Sequence, residues 1–277
     1  MFYYNNWDKF CKCIIDGNLL ICTAEQAITM SSDKRFAVLK HDVESSVSKA
    51  YKLASIEHKY GICGSFYVQA YLMNDPANIR MLKEMQSWGH EISYHYDVLD
   101  ANTGDFEKAE SDFLKFMNVF YSNGFNFKTI CQHGNPVKNR VGYTSNRDFF
   151  RNPEIRSHFP SLVDVVVNFS QYIQQEYKYI SDAGYKWNII TEPETNDLHP
   201  DVKNIPIGDF RKLSKLLDEG NSSFVISTHP HRWTRFAMSI YLRIVFFRMI
   251  RAAVMAMRKI PVVERLLNKF YYLAKKI

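Results

Sequence analysis

Short apolar runs alternate with longer stretches of helical periodicity along most of the chain. Residues 36–40 (FAVLK) read as a strand, and 44–60 follows with helical spacing of Val47, Leu53 and Ile56. The run 63–68 (CGSFYV) is a second strand, and a helix is predicted near 76–88 with Pro76 in its favoured first turn. Residues 90–95 (HEISYH) form a third strand. A long amphipathic helix over 105–122 is closed by Asn123-Gly124 and followed by a fourth strand at 128–132. Later strands are expected at 164–169, 177–180 and 223–227, with a helix near 210–218 between the last two. Strands alternating with helices of this length imply βαβ units and a parallel sheet. Six or seven strands in about 200 residues fit a barrel somewhat smaller than a (β/α)8 barrel. No internal repeat or low-complexity stretch interrupts the pattern.

The chain has 277 residues and a formal charge of +6, from 35 Lys+Arg against 29 Asp+Glu. Residues 232–277 hold 11 Lys/Arg and one acid, Glu264, so a mildly acidic body carries a strongly basic tail. The hydrophobic fraction of 46% excludes a mostly disordered chain. Five cysteines (Cys11, Cys13, Cys22, Cys63, Cys131) without a CxxC pair read as reduced thiols of a cytosolic protein. The start MFYYNNWDKFCK lacks a basic n-region and predicts no secretory signal, and no run of 18 uncharged apolar residues predicts a spanning helix.

Candidate chemistry gathers at the predicted strand ends. His41-Asp42 follows the first strand, His95 closes the third, His133 follows the fourth, Asp182 follows 177–180 and His229 follows the last. In a parallel α/β fold the C-terminal strand ends converge on one face, where catalytic groups collect. Two or three imidazoles with a carboxylate match a catalytic Zn2+-type shell. The bland readings are capping by Asp42 ahead of Ser45-Ser46, turn chemistry for His133-Gly134-Asn135-Pro136, and a structural role for His90. His231 and Trp233 either line the mouth of a site or begin the C-terminal helix.

The order Phe36-Ala-Val-Leu-Lys-His-Asp-Val-Glu44, Gly89-His-Glu-Ile-Ser-Tyr-His-Tyr96, Gln132-His-Gly-Asn-Pro136, Tyr179-Ile-Ser-Asp182 and Ser227-Thr-His-Pro230 resembles the polysaccharide deacetylase superfamily (carbohydrate esterase family 4). It is most similar to the divergent branch that reads HDV where most members read TFDD, found among O-antigen and capsule biosynthesis proteins. The resemblance spans roughly residues 36–233. It implies a distorted (β/α)7 barrel and metal-dependent removal of an acetyl group from an N-acetylated sugar, with a divalent metal, Zn2+ first, as cofactor. Carried over by position, Asp42 and His95 match metal ligands and His229 matches the general acid. The second metal-binding His of the family motif falls on Leu99, which binds no metal, and His133 is the candidate replacement ahead of Asp97 and Asp100. Where the family has its base, this chain has His41, so His41 or Glu44 is the candidate base, and Asp182 the group that orients an imidazole. The competing readings are a non-catalytic glycan-binding or scaffolding member, supported by Leu99, and a metal hydrolase acting on another acyl ester or amide.

Three segments are therefore expected: a helical lead-in over 1–35, the deacetylase-like barrel over 36–231 and a basic amphipathic tail over 232–277. In the tail, Arg243, Arg248, Arg251, Arg258 and Lys259 are expected on one side, with Phe236, Ile240, Ile244, Phe247 and Met255 on the other, and Pro261 as a break. Such a helix reads as interfacial, lying on an anionic leaflet. That predicts a peripheral enzyme at the inner face of the membrane acting on a sugar held by a lipid carrier. The alternative is packing on the barrel or on a second copy in a homo-oligomer. Nucleic acid is ranked out by the large apolar content and the absence of a reading motif.

Overall fold

In the computed structural model, β2 (Phe36–Val43) is the spine of the sheet. Residues 2–249 are described, apart from 18, 31–33, 136, 137, 200, 209, 220, 221, 237, 240, 243, 244 and 246–248. Every residue of β2 is buried, as both faces of a parallel strand covered by other layers must be. The remaining parallel strands are β1 (Leu20–Cys22), β3 (Ser65–Val68), β4 (Glu91–Tyr96), β5 (Thr129–Gln132), β6 (Val163–Asp164), β7 (Tyr177–Ser181) and β10 (Ser223–Thr228). Two antiparallel strands, β8 (Trp187–Ile190) and β9 (Ile205–Gly208), extend the edge beyond β7. The order is β6-β5-β4-β3-β2-β10-β7-β8-β9, with β1 beside the first half of β2.

The helices are α1 (Tyr4–Asp16), α2 (Ala24–Thr29), α3 (Val47–His58), α4 (Pro76–Ser87), α5 (Val98–Ala101), α6 (Phe106–Ser122), α7 (Arg147–Arg151), α8 (Pro153–His158) and α9 (Phe210–Glu219). Their starts follow from local chemistry. Ser46 caps α3 by accepting from Lys49 N, Asp75 caps α4 ahead of Pro76, and Asp105 caps α6 by accepting from Lys108 N.

The structure departs from the sequence reading in three places. The distorted (β/α)7 barrel expected from sequence is met by a mainly parallel α/β sheet, but its ends, β6 and β9, are not paired with each other among the described residues, so a closed barrel is not shown. The strand expected over 164–169 stops at Asp164. Its carboxylate accepts from the Val166 and Val167 amides at 2.7 and 3.1 Å, and Asn168 Oδ1 accepts from Asp164 N at 2.8 Å. This turn overrides the β preference of three successive valines. The 1–35 segment is built into the body, since β1 pairs with Phe36–Val38 and Trp7, Phe10 and Ile14 pack with Phe224 and Trp233.

Strand alternation sorts the interior. On β2, Phe36 and Val38 pack inward, with Tyr67, Cys131, Val163, Tyr179 and Val225. Ala37 and Leu39 pack outward, with Trp7, Leu53, Ile180 and Ile226. The period of two then places Lys40, Asp42 and Glu44 on the inside and His41 and Val43 on the outside.

Candidate active site

The same parity operates on the neighbouring strands. His95 ends the inward row of β4, His133 follows Cys131 beyond β5, and His229 follows Ser227 beyond β10. At the C-terminal strand ends these side chains meet Glu44. Glu44 Oε1 lies 3.2 Å from His133 Nδ1, 3.9 Å from His95 Nε2 and 3.6 Å from His229 Nε2. His133 Nδ1 and His95 Nε2 are 3.3 Å apart. His231, which the sequence places either at the mouth of a site or at the start of the C-terminal helix, brings Nδ1 within 3.6 Å of Glu44 Oε2.

The donor set suits a divalent cation. Ligand atoms about 2.0–2.1 Å from a tetrahedral Zn2+ lie about 3.3 Å apart, matched by His133 to Glu44 and His133 to His95, with Glu44 to His95 wider at 3.9 Å. The His95 tautomer is set as well, because Nδ1 lies 3.1 Å from the Cys131 carbonyl and must donate to it, which leaves the Nε2 lone pair facing the group. His133 is fixed from behind: its amide donates to Tyr96 O at 2.7 Å and its carbonyl accepts from Asn146 Nδ2 at 2.8 Å. Asn146 also donates to Asp100, which Arg140 grips with two 2.8 Å contacts. Asp100, a fallback ligand in the sequence reading, is thus engaged elsewhere, and Leu99 lies in the apolar core.

Asp42 is held differently from Glu44. Its Oδ1 accepts a short hydrogen bond from the ammonium of Lys40, while Oδ2 accepts from Ser227 Oγ at 3.3 Å and lies 3.8 Å from His229 Nε2. Burial pushes the Asp42 carboxyl up, but Lys40, His95 and His229 outweigh this and hold it below its ordinary range. Glu44 is likewise drawn well below its ordinary range against the effect of burial, by His133 and His229. Burial pulls Lys40 down, and Asp42 more than restores its charge. Lys40 was not singled out from sequence. Its one signal is the parity it shares with Asp42 and Glu44.

His229 has the clearest orientation. Its Nδ1 lies 2.5 Å from Asp182 Oδ1, which leaves Nε2 aimed at Glu44 and Asp42. Asp182 is buried; burial raises its carboxyl, but Arg232, His229 and Thr228 pull it far below the ordinary value. Arg232 donates to Asp182 Oδ1 at 2.6 Å and Thr228 to Oδ2 at 2.6 Å, so the carboxylate stays in place when the ring turns. His231 is kept neutral, its pKa lowered to about 3 mainly by burial and in spite of Glu44.

The structure does not bring His41 to this group. The ring faces outward, stacks on Phe66 with centroids 4.1 Å apart and sets Nε2 2.8 Å from Glu57 Oε1. The reason is parity: β2 continues to Val43, so His41 and Asp42 point to opposite faces.

No protein-family model matches the chain, and no curated protein matches it. Among solved structures it is similar to the peptidoglycan deacetylase PdaC from Bacillus subtilis. That similarity has 14% identity and a TM-score of 0.38 over 82% of this chain and 98% of that one, with the same values for a single-site mutant of the enzyme. A likeness this distant carries no argument about chemistry, which rests on the side chains above.

Proposed function

We propose that the chain is a metal-dependent hydrolase that removes the acetyl group from an N-acetylated sugar, in the setting of surface glycan synthesis to which the sequence motifs point. The observation that carries this reading is the convergence of Glu44, His95 and His133 at ligand spacing beneath His229 Nε2, itself 3.6 Å from Glu44 Oε1 and backed by Asp182.

Amide hydrolysis needs an activated water, a polarised carbonyl and a proton for the departing amine. A divalent cation, Zn2+ first, held by Glu44, His95 and His133 would supply Lewis acidity to the carbonyl and bring the pKa of a water at the site to about 7. In this assignment Asp42 and Glu44 exchange the roles that sequence position alone suggested. Asp42 already neutralises Lys40, and a second cation on the same carboxylate would be repelled by that ammonium; Glu44 has imidazoles around it. Asp42 instead takes the proton of the attacking water through Oδ2, which faces His229 across 3.8 Å. His229, doubly protonated and stabilised by Asp182, delivers the Nε2 proton to the sugar nitrogen as the C–N bond breaks. Without that proton the tetrahedral adduct expels water and returns to amide.

Acetate and free-amine release from N-acetylglucosamine oligomers, measured with wild type and with Glu44→Gln and His229→Ala, tests the reading. Release by wild type that both substitutions abolish supports it. Absence of release under metal-replete conditions, with metal still bound, favours the non-catalytic glycan-binding reading. Cleavage confined to O-acetyl esters identifies a different hydrolase on the same site.

A further inference from the structure

The body ends at a fixed point. Trp233 is fully buried, contacts Trp7 and Phe2 edge-on and donates its indole N–H to Thr228 Oγ1 at 2.8 Å. Thr234 then exchanges backbone hydrogen bonds with the N-terminal segment, its amide to Phe2 O at 3.1 Å and its carbonyl from Tyr4 N at 3.0 Å. Two residues later the character of the surface changes. Phe236, Met238, Tyr241, Leu242, Val245 and Met249 are all exposed, from 38% at Val245 to 72% at Met238.

Residues 238, 241, 242, 245 and 249 are helical, and their spacing puts these five side chains within an arc of about 100°. This stripe differs from the apolar face expected from sequence, whose members Ile240, Ile244, Phe247 and Met255 lie outside the described residues along with everything beyond 249. Isolated exposed apolar residues are ordinary; five in one stripe mark a surface meant to be covered. The covering partner is indicated by charge. The 46 residues from 232 onward contain 11 Lys/Arg and one acid, on a chain whose remainder has 24 Lys/Arg against 28 acids. A basic segment repels a second copy of itself but is drawn to an anionic surface, and bulky apolar side chains interleaved with Arg and Lys suit the boundary between headgroups and acyl chains. No helix of the described residues is long and apolar enough to cross a membrane.

We infer that the Met238–Met249 stripe docks the protein on an anionic lipid bilayer. Phe236 is five residues from His231, at most roughly 18 Å of chain, so the docked surface begins beside the mouth of the candidate site. The inference stands on exposure and charge and does not depend on the reaction assigned to that site.

Flotation of the full chain with vesicles of phosphatidylcholine, and of phosphatidylcholine with phosphatidylglycerol, tests it. Wild type should float with the anionic vesicles alone, and less as salt rises. The triple substitution Met238→Ser, Leu242→Ser, Met249→Ser should weaken binding roughly tenfold or more, with an unchanged thermal melt. If that variant does not fold, Arg235→Gln with Arg248→Gln, the arginines that the spacing places beside the stripe, serves instead, and binding should fall about fivefold per residue removed. Undiminished binding of either folded variant, or equal flotation with both vesicle types, overturns the inference. So does a wild-type dimer that the triple substitution dissolves while no vesicle is bound, since the stripe would then be covered by a second copy.

Discussion

Two groups of imidazole and carboxylate lie on opposite faces of the sheet at β2. On the inside, Glu44 is ringed by His95, His133, His229 and His231 at 3.2–3.9 Å. On the outside, Glu57 accepts from Trp7 Nε1 at 2.9 Å and sits 2.8 Å from His41 Nε2 and 3.8 Å from His90 Nδ1. The residue types are almost the same, but their surroundings differ. The outer group is sealed: Glu57 and His41 have no exposed surface, His90 Nδ1 accepts from Gly64 N at 2.9 Å and Nε2 donates to Ala54 O at 3.2 Å. Gly64 has room for no side chain, because an added Cβ would stand 2.8 Å from Glu57 Oε2. The inner group is open at Glu44, His229 and His231, and several of its ring nitrogens point at one another rather than at backbone partners. Ionisable residues alone therefore do not mark a site; what distinguishes the inner group is access, at Glu44, His229 and His231.

The comparison breaks most easily at His229. Its replacement by Ala should lower amine release by roughly two to four orders of magnitude with little change in melting temperature. His41→Ala should do the reverse, lowering the melting temperature while turnover per folded molecule stays the same. Loss of turnover at full stability in His41→Ala would show that the outer group takes part in the reaction. The next largest effect belongs to Glu57→Ala, which strips the shared partner from Trp7 and His41 and should cost about 3–5 kcal/mol in denaturant unfolding, as removal of one member of a buried pair does.

A third carboxylate sharpens the distinction, because it is inward yet held by hydroxyl and amide donors in place of imidazoles. Glu91, at the opposite end of the inner face, accepts from Ser65 Oγ at 2.7 Å, from Thr129 Oγ1 and from the Glu25 amide at 3.1 Å. Burial raises its pKa from 4.5 to about 7, against the pull of those donors. A folded-state pKa above the unfolded one means stability that is present below pH 4.5 and lost as pH rises through 7. The loss is on the order of 3 kcal/mol, and Glu91→Gln should remove this part of the pH dependence of unfolding without touching metal content. The smallest effect expected is that of Asp182→Asn. It keeps the hydrogen bond near His229 but loses the charge that stabilises the doubly protonated ring, and amine release should fall tenfold to a hundredfold with metal content unchanged.

Much of this was legible in the sequence, and the failures have physical causes. Alternating strands and helices announced the α/β sheet, and His95, His133, His229 and Asp182 fell at the strand ends that the structure brings together near Glu44. The boundary of β2 misled the reading of His41. A strand thought to stop at Lys40 carries no parity into residues 41–44, whereas one that runs to Val43 separates His41 from Asp42 and aligns Lys40, Asp42 and Glu44. Lys40 was illegible because a lysine at a strand end ordinarily points to water, and only the tertiary fold shows it buried against Asp42, Ser227 and Tyr67. The β8–β9 edge was missed because Trp187–Ile190 and Ile205–Gly208 are short, and Pro206 demotes the second to an edge. Pairing also turns antiparallel at β7–β8, a feature the expected distorted barrel did not include.

The most direct test of the central claim is acetate release from an N-acetylglucosamine oligomer before chelation, after it, and after readdition of Zn2+. The inner group acting as a metal-dependent deacetylase centre predicts release that disappears with the metal and returns with it in wild type, and that does not return in His133→Ala. Release that persists undiminished in chelator, or that Zn2+ restores equally well in His133→Ala, would contradict the account.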